Sequence, residues 1–111
     1  MTQTEIAKEM VVFFSEPKNR LKKWYTSIDG RRCLFGEYYE LAGPGECQGD
    51  NIIEQTMDSL AKEFGYLNAV ILNDTAPHSV LMQFLRRLVE VVEAREAEFA
   101  SVQPLPEALP V

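Results

Sequence analysis

Apolar residues recur at intervals of three and four along most of the chain, a spacing that places side chains on one face of an α-helix. The longest such run predicts a helix over about residues 76–98. Its apolar positions are Val80, Leu81, Phe84, Leu85, Leu88, Val91, Val92 and Phe99. The same spacing predicts helices at about 3–15, 34–42 and 52–64. We therefore expect a mostly α fold of four main helices, organised around the last one.

Signals at the helix ends agree with these boundaries. Thr2 and Glu5 have the spacing of a capping box, in which each side chain binds the other residue's backbone amide. Gly43 and Gly65 follow the second and third helices, as expected where a helix ends on a left-handed residue. The fourth helix follows a polar corner, residues 73–78. Within that corner, Asp74 or Thr75 is the predicted cap.

Three segments lack a clear helical period. The apolar run 66–72 is too short to assign and fits a buried strand or a helix, with helix preferred. Asp29-Gly30 is a dipeptide of tight turns, and it predicts a small β-hairpin pairing about residues 25–28 with 31–34. Residues 101–111 contain three prolines. We expect a disordered or extended tail there, after a single domain of residues 1–100.

Composition indicates a chain that folds without added support. Its 111 residues are 46% hydrophobic, enough for one core without metal or disulfide. Two cysteines do not make a disulfide framework. We see neither a signal peptide nor an apolar run of the ~20 residues that a membrane span needs. The expected location is cytoplasmic, with no membrane contact.

Charge is distributed unevenly. The whole chain has a formal charge of −6. Residues 18–32 contain six basic residues and one acidic residue, a net charge of +5, whereas the rest contains five basic and 16 acidic residues, a net charge of −11. The basic residues are Lys18, Arg20, Lys22, Lys23, Arg31 and Arg32. Two oppositely charged surfaces favour electrostatic association with a partner.

The corner also suggests a candidate pocket. We expect this pocket where the corner approaches Cys33 and Trp24. The candidate pocket residues are Trp24, Cys33, Asn73, Asp74 and His78. A thiol beside an imidazole and a carboxylate could act as a nucleophile. The favoured interpretation is nevertheless a helix cap and a buried, inert thiol, so we expect no enzyme. One histidine and two cysteines cannot complete a Cys/His metal site, and we expect neither metal nor cofactor.

These observations predict a small non-enzymatic binding or accessory protein whose partner is another protein or a second copy. A homodimer could form through the last helix, along Val92, Ala94 and Phe99. An alternative is an inhibitor encoded by a phage or mobile element, whose acidic surface occupies a DNA-binding groove of another protein. The basic stretch could also bind a nucleic-acid backbone weakly, but the acidic remainder opposes this.

Four sequence features occur in a characteristic order. Trp24 precedes Asp29-Gly30, Cys33-Leu34-Phe35-Gly36 opens a helix, and Asn73-Asp74 precedes the last helix. In this order the chain resembles an uncharacterised domain family common in actinobacteria and their phages. The resemblance implies a compact, mainly helical fold over about residues 5–92. It implies no known activity.

Overall fold

A computed structural model describes residues 1–23, 29–43 and 52–102, with side chains as far as Glu98. Five α-helices lie within these ranges: α1 (Gln3–Phe14), α2 (Leu34–Ala42), α3 (Ile52–Glu63), α4 (Ala69–Thr75) and α5 (His78–Val102). A turn of 3-10 helix, Pro17–Asn19, follows α1. The mostly helical fold expected from the sequence is confirmed, but the described helices number five rather than four.

The additional helix, α4, includes most of the apolar run left open as strand or helix. Asn68 caps it, because its Oδ1 accepts a hydrogen bond from the Ile71 amide at 2.9 Å. Ala76 ends it in an extended conformation, with φ −72° and ψ 142°. Proline disfavours helical geometry in the residue before it, so the helix cannot continue through Ala76 to Pro77. The predicted start at residue 76 is therefore wrong, and α5 begins at His78.

The first two helices begin and end close to their predicted limits. The Glu5 amide donates to Thr2 Oγ1 at 3.0 Å, and the Thr2 amide donates to Glu5 Oε1 at 2.8 Å, which completes the capping box. Helix α2 has the predicted bounds. Cys33 lies at its N-cap, and Gly43 follows it with φ 79°, a left-handed value that glycine adopts without strain.

The predicted hairpin does not form in the residues that the structure describes. Asp29 and Gly30 have the expected positive φ angles, 54° and 80°. Arg32, however, forms an isolated parallel bridge with Arg20. Helix α2 begins at Leu34, so too few residues follow the turn to form a strand. The backbone amide and carbonyl of Arg32 are instead hydrogen-bonded to Asn19 and Leu21. The other predicted strand, residues 25–28, lies outside the described ranges.

Helix α5 lies at the centre of the fold, with α1 and α3 packed against it. Helix α2 packs against α1 and α4. The fully buried face of α5 consists of Leu81, Phe84, Leu85, Leu88 and Val92. Burying such side chains is the main favourable term in folding, about 1.5–3 kcal/mol each. The predicted organising role of this helix agrees with its burial.

Helix α5 continues to Val102, two residues beyond the predicted end of the domain. Residues 103–111, most of the predicted tail, lie outside the described part of the chain. Among the helices described, none combines the length and the apolar character needed to cross a membrane.

Candidate functional site

Asn73, in the last turn of α4, joins three separate segments through its side chain. Only 2% of its surface is exposed. Its Oδ1 accepts a hydrogen bond from the Leu34 amide at 3.1 Å. Its Nδ2 donates to the Leu21 carbonyl and to Asp74 Oδ1, each at 3.0 Å. The amide therefore ties α4 both to the start of α2 and to the segment after the 3-10 helix.

Asp74 does not cap α5, contrary to expectation, because it lies within α4. Its Oδ1 accepts a hydrogen bond from the Lys23 backbone amide at 2.7 Å. Lys23 has φ 73°, a left-handed conformation that costs a non-glycine residue roughly 1–2 kcal/mol. Thr75, the alternative cap, instead donates its hydroxyl to the Ile71 carbonyl at 2.7 Å. The acidic side chain thus fixes a strained turn of the basic stretch.

Arg20 binds the C-terminal end of the same helix. Its Nη1 donates to the carbonyls of Asn73 and Ala76, at 3.1 and 2.8 Å. A cation is favourable there, because the last carbonyls of a helix lack internal donors and carry its negative pole. Burial lowers the pKa of Arg20, and the nearby charge of Asp74 opposes this effect. Arg20 therefore stabilises the corner and does not belong to an exposed basic patch.

Cys33 is buried beside this junction, with 4% of its surface exposed. Its Sγ accepts a hydrogen bond from the Gly36 amide at 3.3 Å. Burial raises the pKa of the Cys33 thiol, and the charge of Asp74 raises it further, whereas hydrogen bonds from nearby backbone amides act in the opposite direction. A reactive cysteine needs the thiolate form at neutral pH. The environment of Cys33 favours the protonated thiol.

His78 lies in the first turn of α5, and its buried Nδ1 has no hydrogen-bond partner among the described residues. The hydrogen bonds of Asp74 go to Lys23 and Asn73 instead. Cys33, Asp74 and His78 therefore do not form a hydrogen-bonded relay. Trp24, the fifth predicted pocket residue, lies outside the described ranges. The structure brings together Asn73, Asp74 and the Cys33-Leu34 junction, but their polar groups bind one another.

The six predicted residues of the basic patch divide into an inner pair and an outer set. Arg20 and Arg32 form the inner pair. Arg32 Nη1 binds Glu37 Oε1 at 2.7 Å, and its guanidinium lies over the Phe13 ring, 5.2 Å from the centroid. Burial raises the pKa of Glu37, and the hydrogen bond and charge of Arg32 oppose this. These contacts hold the basic segment against α1 and α2.

The outer set is exposed. We call it the cationic surface, and it consists of Lys18, Lys22, Lys23 and Arg31. The parallel bridge places the two halves of the basic stretch side by side. Its bonds run from the Leu21 amide to the Arg32 carbonyl at 3.0 Å and from the Arg32 amide to the Asn19 carbonyl at 2.8 Å. Asp29 approaches Arg31 at 3.8 Å, and both side chains are solvent-exposed, so this ion pair is weak.

Sequence reasoning missed two exposed aliphatic side chains at the start of α4. Leu67 is 72% exposed and Ile71 is 40% exposed. The apolar run containing them was left open as a buried strand or a helix, because periodicity cannot orient so short a segment. Asn68 was the available signal, because asparagine is a preferred N-cap residue. Read as a cap, it would have placed the helix start at residue 69.

A shallow groove of about 380 Å³ runs between α1 and α5. It is lined by Lys8, Val11, Arg86, Val89 and Glu90.

Within the described ranges, no group of three or more His, Cys, Asp or Glu side chains could hold a metal ion. Of the three residues predicted to form a homodimer contact, Val92 is fully buried within the single chain and is not exposed to a second copy. Ala94 is exposed, and the side chain of Phe99 is not described.

Comparisons with models of known protein families, with curated proteins and with solved structures find no match to this chain. The resemblance carried by the Trp, Cys-x-x-Gly and Asn-Asp motifs therefore stays a prediction.

Proposed function

We propose that this chain is a small non-enzymatic protein-binding module whose contact surface is the cationic surface. The observation that supports the proposal is the parallel bridge between Arg20 and Arg32. It gathers four exposed cations on a backbone that Arg20 and Asn73 fasten to α4. Charges held on a fixed frame steer an oppositely charged partner without a large ordering cost.

The chemistry of the corner is consistent with a supporting role. Asn73, Asp74 and Arg20 direct their polar groups at the backbone of other segments. A raised pKa keeps Cys33 in the less reactive form. These residues shape the surface on which the lysines lie. The four residues of the cationic surface face solvent, so the expected partner is an acidic protein surface.

Two alternatives draw on different features. Weak nucleic-acid binding would use the same cations, but two of the six predicted basic residues point inward, which leaves fewer phosphate contacts. A phage or mobile-element inhibitor would use the acidic remainder, with its net charge of −11. Binding of such an inhibitor to its target would therefore not depend on the cationic surface.

Capture of partners from a lysate of the source cell, by immobilised protein, tests the proposal. Lys22→Glu/Lys23→Glu reverses two exposed cations. Lys8→Glu/Lys62→Glu makes the same change in net charge at two exposed lysines elsewhere. We expect wild type and the control to retain the same proteins at low salt. The surface variant should lose them, as should wild type at about 0.5 M salt, where exposed charges are screened.

Three outcomes would contradict the proposal. Equal capture by both variants would exclude the cationic surface. Retention that disappears on nuclease treatment would favour nucleic acid. Proteins retained by the surface variant and lost on reversal of exposed glutamates on α5 would favour the inhibitor.

A further inference from the structure

Two large aliphatic side chains are exposed together at the N-terminal end of α4. Leu67 immediately precedes the capping residue Asn68, and Ile71 donates its amide to that cap. This bond fixes the backbone on which both side chains lie. A single exposed aliphatic residue is ordinary in proteins. Here two such residues lie four positions apart on one short capped segment, 72% and 40% exposed.

The cationic surface reaches the other end of the same helix. The Lys23 amide binds Asp74, which lies one turn beyond Ile71 and therefore on a neighbouring part of the helix surface. Lys22 and Lys23 are both exposed. Seven residues of helix span roughly 10 Å. The apolar residues and the lysines are thus separated by a distance that about two turns of a partner helix would cover.

The carboxylate of Asp74 lies beside the Lys23 backbone, but neither Lys22 nor Lys23 forms an ion pair with a described residue. That carboxylate accepts hydrogen bonds from the Lys23 amide and from Asn73 Nδ2. The ammonium groups of Lys22 and Lys23 extend from an exposed turn, where a partner's carboxylates can reach them. Aliphatic side chains offer no stacking surface for bases, so the combination suits a protein segment better than a nucleic acid.

Resting on the proposed function, we infer that Leu67, Ile71, Lys22 and Lys23 form a docking surface for an acidic amphipathic helix of a partner protein. Apolar side chains of that helix cover Leu67 and Ile71, and carboxylates one to two turns away bind Lys22 and Lys23. This is helix recognition by a few apolar anchors, with charge fixing the orientation.

Binding of a synthetic 18-residue helical peptide tests the inference. The peptide carries leucine at intervals of three and four and glutamate on its remaining face, and fluorescence anisotropy reports its binding to the full chain. We expect Leu67→Ser/Ile71→Ser to weaken binding about tenfold or more, because both apolar contacts with the peptide are lost. Val12→Ser, a change at a residue 65% exposed on α1, should alter binding less than twofold. A peptide with lysine in place of glutamate should not bind.

The variants alter exposed side chains, so circular dichroism and the thermal midpoint should confirm an intact fold. Absence of binding by the acidic peptide overturns the inference. Binding that falls with Lys22→Glu/Lys23→Glu but not with Leu67→Ser/Ile71→Ser also overturns it, while leaving the proposed function standing. Sedimentation showing a wild-type dimer that Leu67→Ser/Ile71→Ser dissociates would overturn it as well, because the occupant would then be a second copy.

Discussion

Asn73 shows how much of this fold depends on one buried amide. Its three hydrogen bonds go to partners on two other segments and to the adjacent Asp74. An unsatisfied buried donor or acceptor costs about 1–3 kcal/mol. The Leu34 amide and the Leu21 carbonyl would both lose their Asn73 partner if the side chain were removed.

We expect Asn73→Ala to lower the free energy of unfolding by about 2–4 kcal/mol, from two such losses and a small cavity. Urea denaturation followed by circular dichroism would measure it. Asn68→Ala removes only the cap of α4 and should cost about 1 kcal/mol. A smaller loss for Asn73→Ala than for Asn68→Ala would show that the Asn73 hydrogen bonds contribute little.

At this scale the sequence indicated a polar corner but not the partners of its side chains. Asn73 and Asp74 stood out because they interrupt an apolar region, and Asp74 was predicted to be a local cap. Its main-chain partner is instead Lys23, 51 positions earlier. Capping patterns describe neighbours three or four residues apart. No local pattern could indicate a bond between such distant segments.

The helices are joined by side chains of one helix that bind the exposed amides of another. Glu96 of α5 accepts hydrogen bonds from the Gln3 and Thr4 amides at 2.9 and 3.0 Å. Gln3 Oε1 in turn accepts from the Ile53 amide at 3.0 Å, and Asp58 binds the Ala69 amide at 2.9 Å. Acceptors at helix N-termini pair otherwise unsatisfied donors and meet the positive pole of the helix.

One of the four glutamates in the second half of α5 has a structural role. Glu96 caps α1, because its carboxylate accepts hydrogen bonds from the Gln3 and Thr4 amides. Burial raises its pKa, but hydrogen bonds from the Thr4 hydroxyl and from the Thr4 and Gln3 amides outweigh burial, so the pKa is lowered.

Glu96→Gln should lower the free energy of unfolding at pH 7 by about 1–2 kcal/mol, the scale of a lost charged cap. A carboxyl whose pKa is lower in the folded state stabilises above its ordinary pKa of 4.5, and this stabilisation is lost as pH falls through the folded value. The difference between wild type and variant should therefore shrink at acidic pH. Thermal unfolding from pH 7 to pH 3 would measure it.

Glu93→Gln is the matched control, an exposed glutamate on the same helix. Its effect should stay within about 0.5 kcal/mol, as for most surface changes. A variant at Glu96 that behaves like the control would show that the carboxylate does not cap α1 in solution.

Considered as a whole molecule, the chain is built on α5, and α2 packs against α1 and α4. The central role of α5 was predictable because its apolar period continues over several turns. The sequence placed a polar corner at 73–78 before the last helix, but α4 runs through Thr75 and the break falls at Ala76, before Pro77. The position of the 19–32 segment depends on bonds from Arg20 and Asn73 to distant residues, which periodicity does not reveal.

Cys33 reports on this assembly, because its side chain is buried in the native fold, with 4% of its surface exposed. In a Cys47→Ser background, which leaves Cys33 as the sole thiol, iodoacetamide at pH 7 should label the native protein at least about tenfold more slowly than the urea-unfolded protein. Mass spectrometry would follow the reaction. Native labelling as fast as that of free cysteine would contradict the buried, protonated thiol and reopen a catalytic interpretation.

The hydrogen bonds of Asn73 span 39 residues to Leu34 and 52 residues to Leu21. Closing such long loops has an entropic cost that the local contacts within α5 avoid, so these bonds should form after the folding transition state. Their loss would then accelerate unfolding and leave the refolding rate nearly unchanged. Stopped-flow kinetics of Asn73→Ala would show the opposite pattern if the junction belonged to the folding nucleus.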